Sequence, residues 1–264
     1  MTTDATWLAS MPERYDTCLG PALFAPYAEH VARLAAALKP ARVLELAAGS
    51  GIATAHLVAA LPEAKLTATD LNAAMVEWSA QRVPAATWQT ADAQALPFPP
   101  ASFDLVVCQF GVMFFPDKVG AYAQMRTVLA PGGHVITSIW DTVDGSELTA
   151  ALMECLAQVL PEDPPDFVVR IPHGYTDPDQ LTADALAGGL VDVAVERVCL
   201  RGRAASAASV TEGFCLGTPL RFALAERGDP VALSEQLGRA MTERLGEGPL
   251  EGDLAAYVLT ATCP

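Results

Sequence analysis

The chain has 264 residues, 52 % of them hydrophobic, and a formal net charge of −15 at pH 7 with only 16 Lys or Arg. This length and apolar content suffice for the core of one large α/β domain. The strong negative charge argues against nucleic acid and an anionic membrane as partners, because both would be repelled.

Cysteines and histidines show no metal-binding pattern. The six cysteines include no Cys-x-x-Cys pair, and the four histidines have no ligand-like spacing, so we predict reduced thiols and no metal site. The first residues, MTTDATWLAS, lack the basic and apolar segments of a signal peptide, and no stretch has about 18 uninterrupted apolar residues. The sequence therefore predicts a cytoplasmic protein without a membrane span.

Strand-like and helix-like segments alternate in the first half of the chain, which is typical of a parallel sheet flanked by helices. Apolar runs predict strands at 42–47, 65–71, 86–92, the start of 103–115, and 134–140. Helical patterns predict helices at 26–38, 50–61, 73–83 and 118–129. Residues 131–133, Pro-Gly-Gly, predict a turn before the fifth strand, because a glycine pair readily supplies positive φ.

The alternation weakens after about residue 141. Helices are predicted at 145–160 and 177–190, and 203–250 is predicted to be helical with breaks at its glycines and prolines. Strands are predicted at 191–200 and 255–262. Because no internal repeat or low-complexity linker interrupts the chain, we predict a single globular domain over 1–264.

A Gly-x-Gly turn stands between a strand and a helix in residues 43–61, VLELAAGSGIATAHLVAAL. Glycine lets backbone N–H groups approach a ligand closely, so Gly49 and Gly51 indicate a nucleotide or amino-acid ligand. Thr54 occupies the third glycine position of the dinucleotide fingerprint, which disfavours a pyrophosphate ligand. Taken alone, the turn could equally be a tight connection.

Two acids follow successive predicted strands at the same edge of the sheet. Asp70 ends the second strand, where a carboxylate accepts hydrogen bonds from ribose hydroxyls. Asp92 ends the third strand, where its side chain is placed for an adenine amino group, and Ala93 offers a backbone N–H to the ring. Together they predict a nucleoside lying across the sheet, although either Asp alone could cap a helix.

The motifs of this chain resemble, in order, those of class I S-adenosylmethionine-dependent methyltransferases, most of all the ubiquinone/menaquinone-biosynthesis-like small-molecule branch. The resemblance rests on four segments: ELAAGSG (45–51), DLNAAM (70–75), DAQALPFPPASFDLVVCQFGVMFFPD (92–117) and LAPGGHVITSIW (129–140). It covers residues 10–140 closely and the remainder in outline. One departure is Ala47, which stands where the family has its first glycine.

The resemblance implies an α/β fold: a Rossmann-like, doubly wound sheet of seven mostly parallel strands, the last antiparallel, with helices on both faces. Within the single domain it implies an N-terminal lid or helix over 1–40 and a cofactor-binding core over 41–140. Substrate-capping helices and C-terminal strands would occupy 141–264. The cofactor would be S-adenosylmethionine, the product S-adenosylhomocysteine, and the methyl acceptor a small molecule.

The resemblance also assigns candidate cofactor residues. The methionine part falls to the end of the first strand and the glycine turn: Glu45, Ala47, Gly49 and Gly51. Asp70 would hold the ribose, and Asp92 with Ala93 the adenine. Four further candidates are a lid residue, two residues of the second motif and the end of the fourth strand: Tyr15, Leu71, Met75 and Gln109.

Methyl transfer depends on alignment and exclusion of water more than on a general base. Phe110, Met113 and Phe114 follow the fourth strand and are the candidates to line the acceptor. At least two of Phe110, Phe114 and Phe115 are nevertheless expected to be core residues. The single candidate base is His173, for which a surface loop position is the plainer expectation.

Two other functions remain open at this point. An NAD-type oxidoreductase shares the glycine turn and Asp70, but Thr54 and the lack of a Tyr-x-x-x-Lys pair weigh against it. A non-catalytic S-adenosylmethionine-binding protein is also compatible, because no residue is an obligatory catalyst. The oligomeric state is expected to be a monomer or a homodimer.

Overall fold

The computed structural model describes residues 11–264, and the chain falls into two compact units. One, here called the sheet unit, comprises Tyr27–Trp140, Tyr175–Val198 and Ala256–Pro264. The other, called the helical unit, comprises the described residues up to Pro26, Asp141–Gly174 and Cys199–Ala255. Residues 1–10, which belong to the predicted N-terminal segment 1–40, lie outside the described residues.

The strands form one mixed sheet. Their bounds are β1 (Arg42–Glu45), β2 (Lys65–Asp70), β3 (Thr87–Thr90), β4 (Phe103–Gln109), β5 (Leu129–Trp140), β6 (Val191–Ala204) and β7 (Leu250–Thr262). The spatial order is β3-β2-β1-β4-β5-β7-β6. Strands β1 to β5 pair in parallel, whereas β7 runs antiparallel to β5. The predicted fold class, including the antiparallel last strand, is confirmed.

The two central strands explain the unbroken apolar runs of the sequence. Val43 and Leu44 in β1 and Val106 and Val107 in β4 are all 0 % exposed. A parallel strand that is covered on both faces needs apolar residues at successive positions, not at alternate ones. Strand β3, at the edge, is mostly exposed. The core of the sheet unit therefore runs along β1 and β4.

Helices precede and connect these strands. The α-helices of the described residues are α1 (Met11–Arg14), α2 (Ala25–Leu38), α3 (Ile52–Ala60), α4 (Ala73–Arg82), α5 (Lys118–Val128), α6 (Glu147–Val159), α7 (Phe167–Arg170), α8 (Pro178–Ala187), α9 (Ala207–Gly217), α10 (Leu220–Ala225) and α11 (Pro230–Leu245). A π-helix, Tyr15–Phe24, lies between α1 and α2, and short 3-10 helices lie at Val112–Phe114 and Val143–Gly145. Among the residues that the structure describes, no helix has the length and apolar character needed to cross a membrane.

Several helices begin where the sequence supplies a capping side chain. Asn72, Asp117, Asp177, Ser206 and Asp229 each accept a hydrogen bond from a backbone N–H of the first turn that follows. Such residues satisfy N–H groups that have no partner inside the helix. Helices α8 and α11 also begin with proline, whose missing N–H costs nothing at that position.

The structure corrects the predicted turn at 131–133. Strand β5 begins at Leu129, so the Pro-Gly-Gly sequence lies inside the strand. Gly132 has a φ of +75°, and its N–H donates to the carbonyl oxygen of Cys263 at 2.9 Å. The register against β4 shifts between Phe103 and Leu105. The positive φ of Gly132 thus makes an irregularity within a strand instead of a separate turn.

The N-terminal segment is helical, but its helix is not a regular α-helix. Pro21 lies inside the π-helix Tyr15–Phe24. Proline has no N–H to donate and crowds the carbonyl one turn earlier, and a wider turn relieves that crowding. Phe24, the last residue of the π-helix, is 8 % exposed, and Tyr27, in the first turn of α2, is 0 % exposed.

In the helical unit, glycines allow other segments to approach the π-helix closely. A Cβ on Gly202 would lie 1.8 Å from the carbonyl oxygen of Ala22, and one on Gly213 would lie 2.6 Å from Leu19 Cδ2. Neither glycine has a positive φ, so space is the reason for glycine at both positions. The tightest approach is to a backbone atom, which cannot rotate away.

Replacing Gly202 by alanine is therefore expected to destabilise the helical unit. We expect the free energy of unfolding, measured by urea titration, to fall by about 2 to 3 kcal/mol, because the new methyl forces the backbone of Ala22 to move. Gly228→Ala is the matched control, since its Cβ would meet Leu233 Cδ1 at an ordinary 3.4 Å. Equal effects of the two substitutions would contradict this account.

Candidate functional site

The carboxyl ends of β1, β2, β3 and β4 lie side by side in the sheet unit. Open α/β sheets bind their ligands at this edge. The segment that leaves β1, residues 46–51, is here called the glycine loop. Asp70 is the last residue of β2, Asp92 follows β3, and Gln109 is the last residue of β4. The sheet therefore brings these sequence-predicted residues to one edge.

The glycine loop has a left-handed backbone at alternate residues. The φ angles of Ala47, Gly49 and Gly51 are +51°, +55° and +84°. Glycine adopts this region freely, whereas the Cβ of alanine costs about 1 kcal/mol there. Ala47, which replaces the first glycine of the family pattern, thus lies at a position where the backbone conformation favours glycine.

Backbone hydrogen bonds fasten the glycine loop to both strands beside β1. The N–H of Leu46 donates to the carbonyl oxygen of Val107 in β4 at 2.8 Å. The N–H of Ala48 donates to the carbonyl oxygen of Thr69 in β2 at 2.9 Å. These bonds continue the sheet ladder on either side and fix the direction in which the loop leaves it.

The two glycines of the loop serve different ends. A Cβ on Gly49 would meet no atom within 4 Å, so a ligand has room to approach its backbone. A Cβ on Gly51 would lie 3.2 Å from the Trp88 ring and 3.3 Å from Ser79 Cβ. Ser79 also donates its hydroxyl hydrogen to the carbonyl oxygen of Gly49 at 2.8 Å. Glycine at position 51 thus makes room for Trp88 and Ser79, which support the loop. Glycine at position 49 leaves one face of the loop open to a ligand.

Thr54 occupies the position where a dinucleotide-binding loop has its third glycine. Its side chain is 0 % exposed, in the first turn of α3. The dinucleotide fingerprint uses glycine there so that helix and strand pack closely. A buried threonine side chain fills that space, which supports the prediction against a pyrophosphate ligand.

Glu45, the last residue of β1, is a buried acid with 1 % exposure. Its Oε2 has no hydrogen-bond partner among residues 11–264. Burial raises the pKa of Glu45 to about 8; the Thr54 hydroxyl lowers it in part, and the negative charge of Asp70 raises it. Near pH 7 the carboxyl is therefore mostly neutral, with one oxygen that no described residue uses.

Asp70 is half-buried, and backbone amides hold its carboxylate. Oδ2 accepts from the N–H of Gly49 at 2.9 Å, and Oδ1 accepts from the N–H of Asn72 at 2.8 Å. Burial raises the pKa of Asp70, and these N–H groups lower it. Asn72, whose side chain accepts from the N–H of Ala74, caps α4. The alternative that Asp70 caps a helix is therefore wrong.

Asp92 lies in a turn after β3. Its Oδ1 accepts from the N–H of Gln94 at 2.8 Å, and Asp92 forms an isolated β-bridge with Ala95. No helix begins there within the described chain, so the capping alternative is wrong for Asp92 too. Ala93, the other adenine candidate, is buried at 8 % exposure.

The two candidates of the second motif differ in exposure. Leu71, directly after Asp70, is 63 % exposed, which leaves a large apolar side chain uncovered at this edge of the sheet. Met75, one turn into α4, is 3 % exposed and packs in the core. Leu71 is thus available to a ligand, and Met75 supports the fold beneath it.

The end of β4 is followed by a buried aromatic cluster. Phe110 has a φ of +55°, and its ring stacks on that of Trp140, with centroids 3.6 Å apart and planes at 5°. Tyr27 meets Phe110 and Trp140 edge-on at 5.3 and 5.5 Å. The ring of Phe110 is therefore a packing element, with 6 % of the residue exposed.

Gln109, at the end of β4, and the residues that follow Phe110 differ in exposure. Gln109 is half-buried and Met113 is buried at 5 % exposure. Phe114 and Phe115 are both partly exposed, so the expectation that at least two of the three phenylalanines lie in the core is wrong. The 3-10 helix Val112–Phe114 buries Val112 and Met113 and leaves Phe114 partly exposed.

Tyr15 and His173 belong to the helical unit. Tyr15 lies in the π-helix, where its ring stacks on Phe24 with centroids 4.7 Å apart. His173 is 9 % exposed, so the expected surface loop position is wrong. Its Nδ1 lies 2.5 Å from the carbonyl oxygen of Asp141, and because a carbonyl oxygen only accepts, Nδ1 carries the proton. Burial lowers the pKa of His173, which favours a neutral ring.

Sequence reasoning missed Asn72, Ser79 and Trp88. Asn72 carried a usable signal, because asparagine before a helical segment is a strong capping residue. Ser79 and Trp88 carried none, since their contacts with the glycine loop arise only when α4 and β3 fold against it.

The buried carboxyl of Glu45 predicts a specific pH dependence of stability. The pKa of Glu45 is about 8 in the folded chain against an ordinary value of 4.5, so the folded state holds an extra proton between these values. The free energy of unfolding should therefore fall as the pH rises from 5 to 8, by about 3 kcal/mol from this group. In Glu45→Gln, urea titrations across this range should show a clearly flatter dependence. Parallel curves for the two proteins would contradict the assignment.

Comparison with known proteins agrees with the geometry. Residues 43–133 match a family model described as a methyltransferase domain. The ubiquinone/menaquinone biosynthesis C-methyltransferase of Bordetella parapertussis is 32 % identical over 198 residues, which cover 69 % of this chain and 74 % of that protein. An uncharacterized protein of Mycobacterium tuberculosis is 30 % identical over 242 residues, which cover 89 % of this chain and 82 % of that protein.

Solved structures show the same fold. Phosphoethanolamine N-methyltransferase 2 of Haemonchus contortus, in complex with S-adenosylhomocysteine, has a TM-score of 0.62 at 16 % identity over 100 % of this chain and 61 % of that one. The sheet order, the motifs and these likenesses agree with one another. This chain belongs to the class I S-adenosylmethionine-dependent methyltransferases, in the branch of the ubiquinone/menaquinone biosynthesis C-methyltransferases.

Proposed function

We propose that the glycine loop holds S-adenosylmethionine and that this methyltransferase acts on a small-molecule acceptor. The observation that carries the proposal is the open face of Gly49 beside the buried carboxyl of Glu45 and the half-buried carboxylate of Asp70. Oε2 of Glu45 has no partner among the described residues, and the carboxylate of Asp70 can accept further hydrogen bonds besides those from Gly49 and Asn72. The ammonium and ribose hydroxyls of the cofactor are donors, so they match these oxygens in number and kind.

Each part of the cofactor has a candidate partner in the sheet unit. Glu45 and the glycine loop residues Ala47, Gly49 and Gly51 would hold the methionine part. Asp70 would accept from the ribose hydroxyls, and the exposed side chain of Leu71 would cover an apolar part of the nucleoside. Asp92 and Ala93 would take the adenine.

The protein contributes alignment and exclusion of water to the reaction. When bound, S-adenosylmethionine supplies an electrophilic methyl group, so an aligned acceptor needs little further activation. Gln109 would border the reacting centre, and Met113 with Phe114 would line the acceptor. The stack of Phe110 on Trp140 fixes the backbone that positions them.

His173 is proposed as a base for acceptors that must lose a proton. Its lowered pKa keeps the ring neutral near pH 7, as a base requires. The test is the pH profile of turnover in His173→Gln, which should lose its acidic limb while S-adenosylhomocysteine binds as before. An unchanged profile would remove His173 from the mechanism.

The acceptor is proposed to be apolar or aromatic, because apolar residues follow β4 and the net charge of −15 disfavours nucleic acid. A cytoplasmic location is proposed because all six cysteines are free. The protein is expected to act as a monomer or a homodimer. Binding without turnover across a broad panel of acceptors would favour the non-catalytic alternative.

The cofactor assignment predicts a thermal shift that depends on Asp70. S-adenosylmethionine or S-adenosylhomocysteine at a hundred times its dissociation constant should raise the unfolding midpoint by roughly 5 to 10 °C. In Asp70→Ala the shift should disappear, because the ribose loses its acceptor. Asp144→Ala, an exposed acid of the helical unit, is the control and should keep the shift.

NADH distinguishes the competing enzyme class in the same experiment. A shift with NADH, and none with the two S-adenosyl ligands, would overturn the proposal in favour of the oxidoreductase. A shift in Asp70→Ala equal to that of the parent protein would show that the ligand binds elsewhere.

A further inference from the structure

Gly111 lies two residues after β4 and has no conformational need to be glycine. Its φ of −106° and ψ of −38° are open to any L-residue. It is nevertheless buried at the start of the segment that carries Met113 and Phe114. The reason for glycine must therefore be the space around it.

That space is occupied from the glycine loop. A Cβ on Gly111 would lie 2.6 Å from the Cβ of Ala47, 2.7 Å from Cys108 Sγ and 3.7 Å from Phe115 Cζ. The sulfur of Cys108 is the end of a side chain and moves by rotation about one bond. The methyl of Ala47 has no such freedom, because it moves only when the backbone of the loop moves.

The position of Ala47 makes this contact consequential. With its left-handed φ of +51°, Ala47 directs its Cβ into space that would be empty if this residue were glycine. The loop on either side is tied down, since the N–H groups of Leu46 and Ala48 are bonded to β4 and β2. A group that pushed on the Ala47 methyl would therefore press on the whole fastened loop.

We propose that Gly111 is a positioning residue for the cofactor loop. Its missing side chain receives the methyl of Ala47, and this allows alanine at a loop position that otherwise favours glycine. The two residues act as a pair: the loop keeps its ligand-binding course because the segment after β4 leaves room for it. The part of this inference that concerns binding rests on the proposed function.

Gly111 could instead be needed for direct contact with the ligand, and this alternative predicts a different response to substitution. If a side chain at position 111 would clash with the ligand itself, a methyl there would weaken binding regardless of the residue at position 47. If the methyl of Ala47 is the obstacle, its removal should relieve the obstruction. A double-mutant cycle separates these two explanations.

The experiment compares the parent protein with A47G, G111A, A47G/G111A and C108A/G111A. The dissociation constant for S-adenosylhomocysteine is measured by isothermal titration calorimetry, and the unfolding midpoint is recorded without ligand. In the parent background, which has alanine at position 47, G111A should weaken binding of S-adenosylhomocysteine about tenfold or more. In the A47G background the same substitution should weaken it less than about threefold, because Cys108 can rotate away.

C108A/G111A separates the two neighbours of the added methyl. Removing the sulfur should leave most of the loss in place, since the Ala47 methyl is the neighbour that cannot yield. G228A again serves as the control for a glycine-to-alanine change at a position with room for it, and it should bind as the parent does.

The experiment distinguishes failure of the Ala47–Gly111 pairing from failure of the proposed cofactor binding. Equal losses from G111A in the two backgrounds, or full recovery in C108A/G111A, would overturn the pairing. If G111A does not fold, recovery of a cooperative unfolding transition in A47G/G111A supports the pairing, and failure of both to fold contradicts it. If the parent binds no S-adenosyl ligand, the proposed function fails, while the midpoints of the four variants still test the pairing.

Discussion

The left-handed backbone of the glycine loop is the constraint on which the site depends. Three of its six residues, Ala47, Gly49 and Gly51, have positive φ. The conformation persists because hydrogen bonds to Val107 and Thr69 fasten the loop between two neighbouring strands. Those strands are in turn held by the apolar core along β1 and β4. Burial of that core thus fixes a backbone that local preference alone would not select.

The same arrangement gives two acids different hydrogen-bonding environments. Asp70 accepts two backbone N–H groups, which favour its charged form, whereas Oε2 of Glu45 finds no donor among the described residues. Burial raises the pKa of both carboxyls, and neighbouring acids with shifted pKa values are typical of functional sites. One acid is ready to accept from neutral hydroxyls, and the other ionises readily when a cation arrives. These two acids therefore suit a ligand that carries both hydroxyl groups and a cationic group.

Much of the fold was predictable because apolar runs, prolines and capping residues are local signals. The alternation of strands and helices up to Trp140 and the strand-end positions of Asp70 and Asp92 follow from such signals. The support of the loop by Ser79 and Trp88 was not predictable, since it arises from contacts between distant segments. His173 shows the same limit: its sequence context, between proline and glycine, indicates a loop, but burial depends on packing against Asp141. The pairing of Ala47 with Gly111 joins residues 64 positions apart that no local pattern connects.

The most direct test of the account is a crystal structure of the protein with S-adenosylhomocysteine. We expect the ligand at the open face of Gly49, with its ribose hydroxyls about 2.7 to 3.1 Å from the carboxylate of Asp70 and its adenine beside Asp92 and Ala93. A ligand bound elsewhere, or one whose ribose does not contact Asp70, would contradict it.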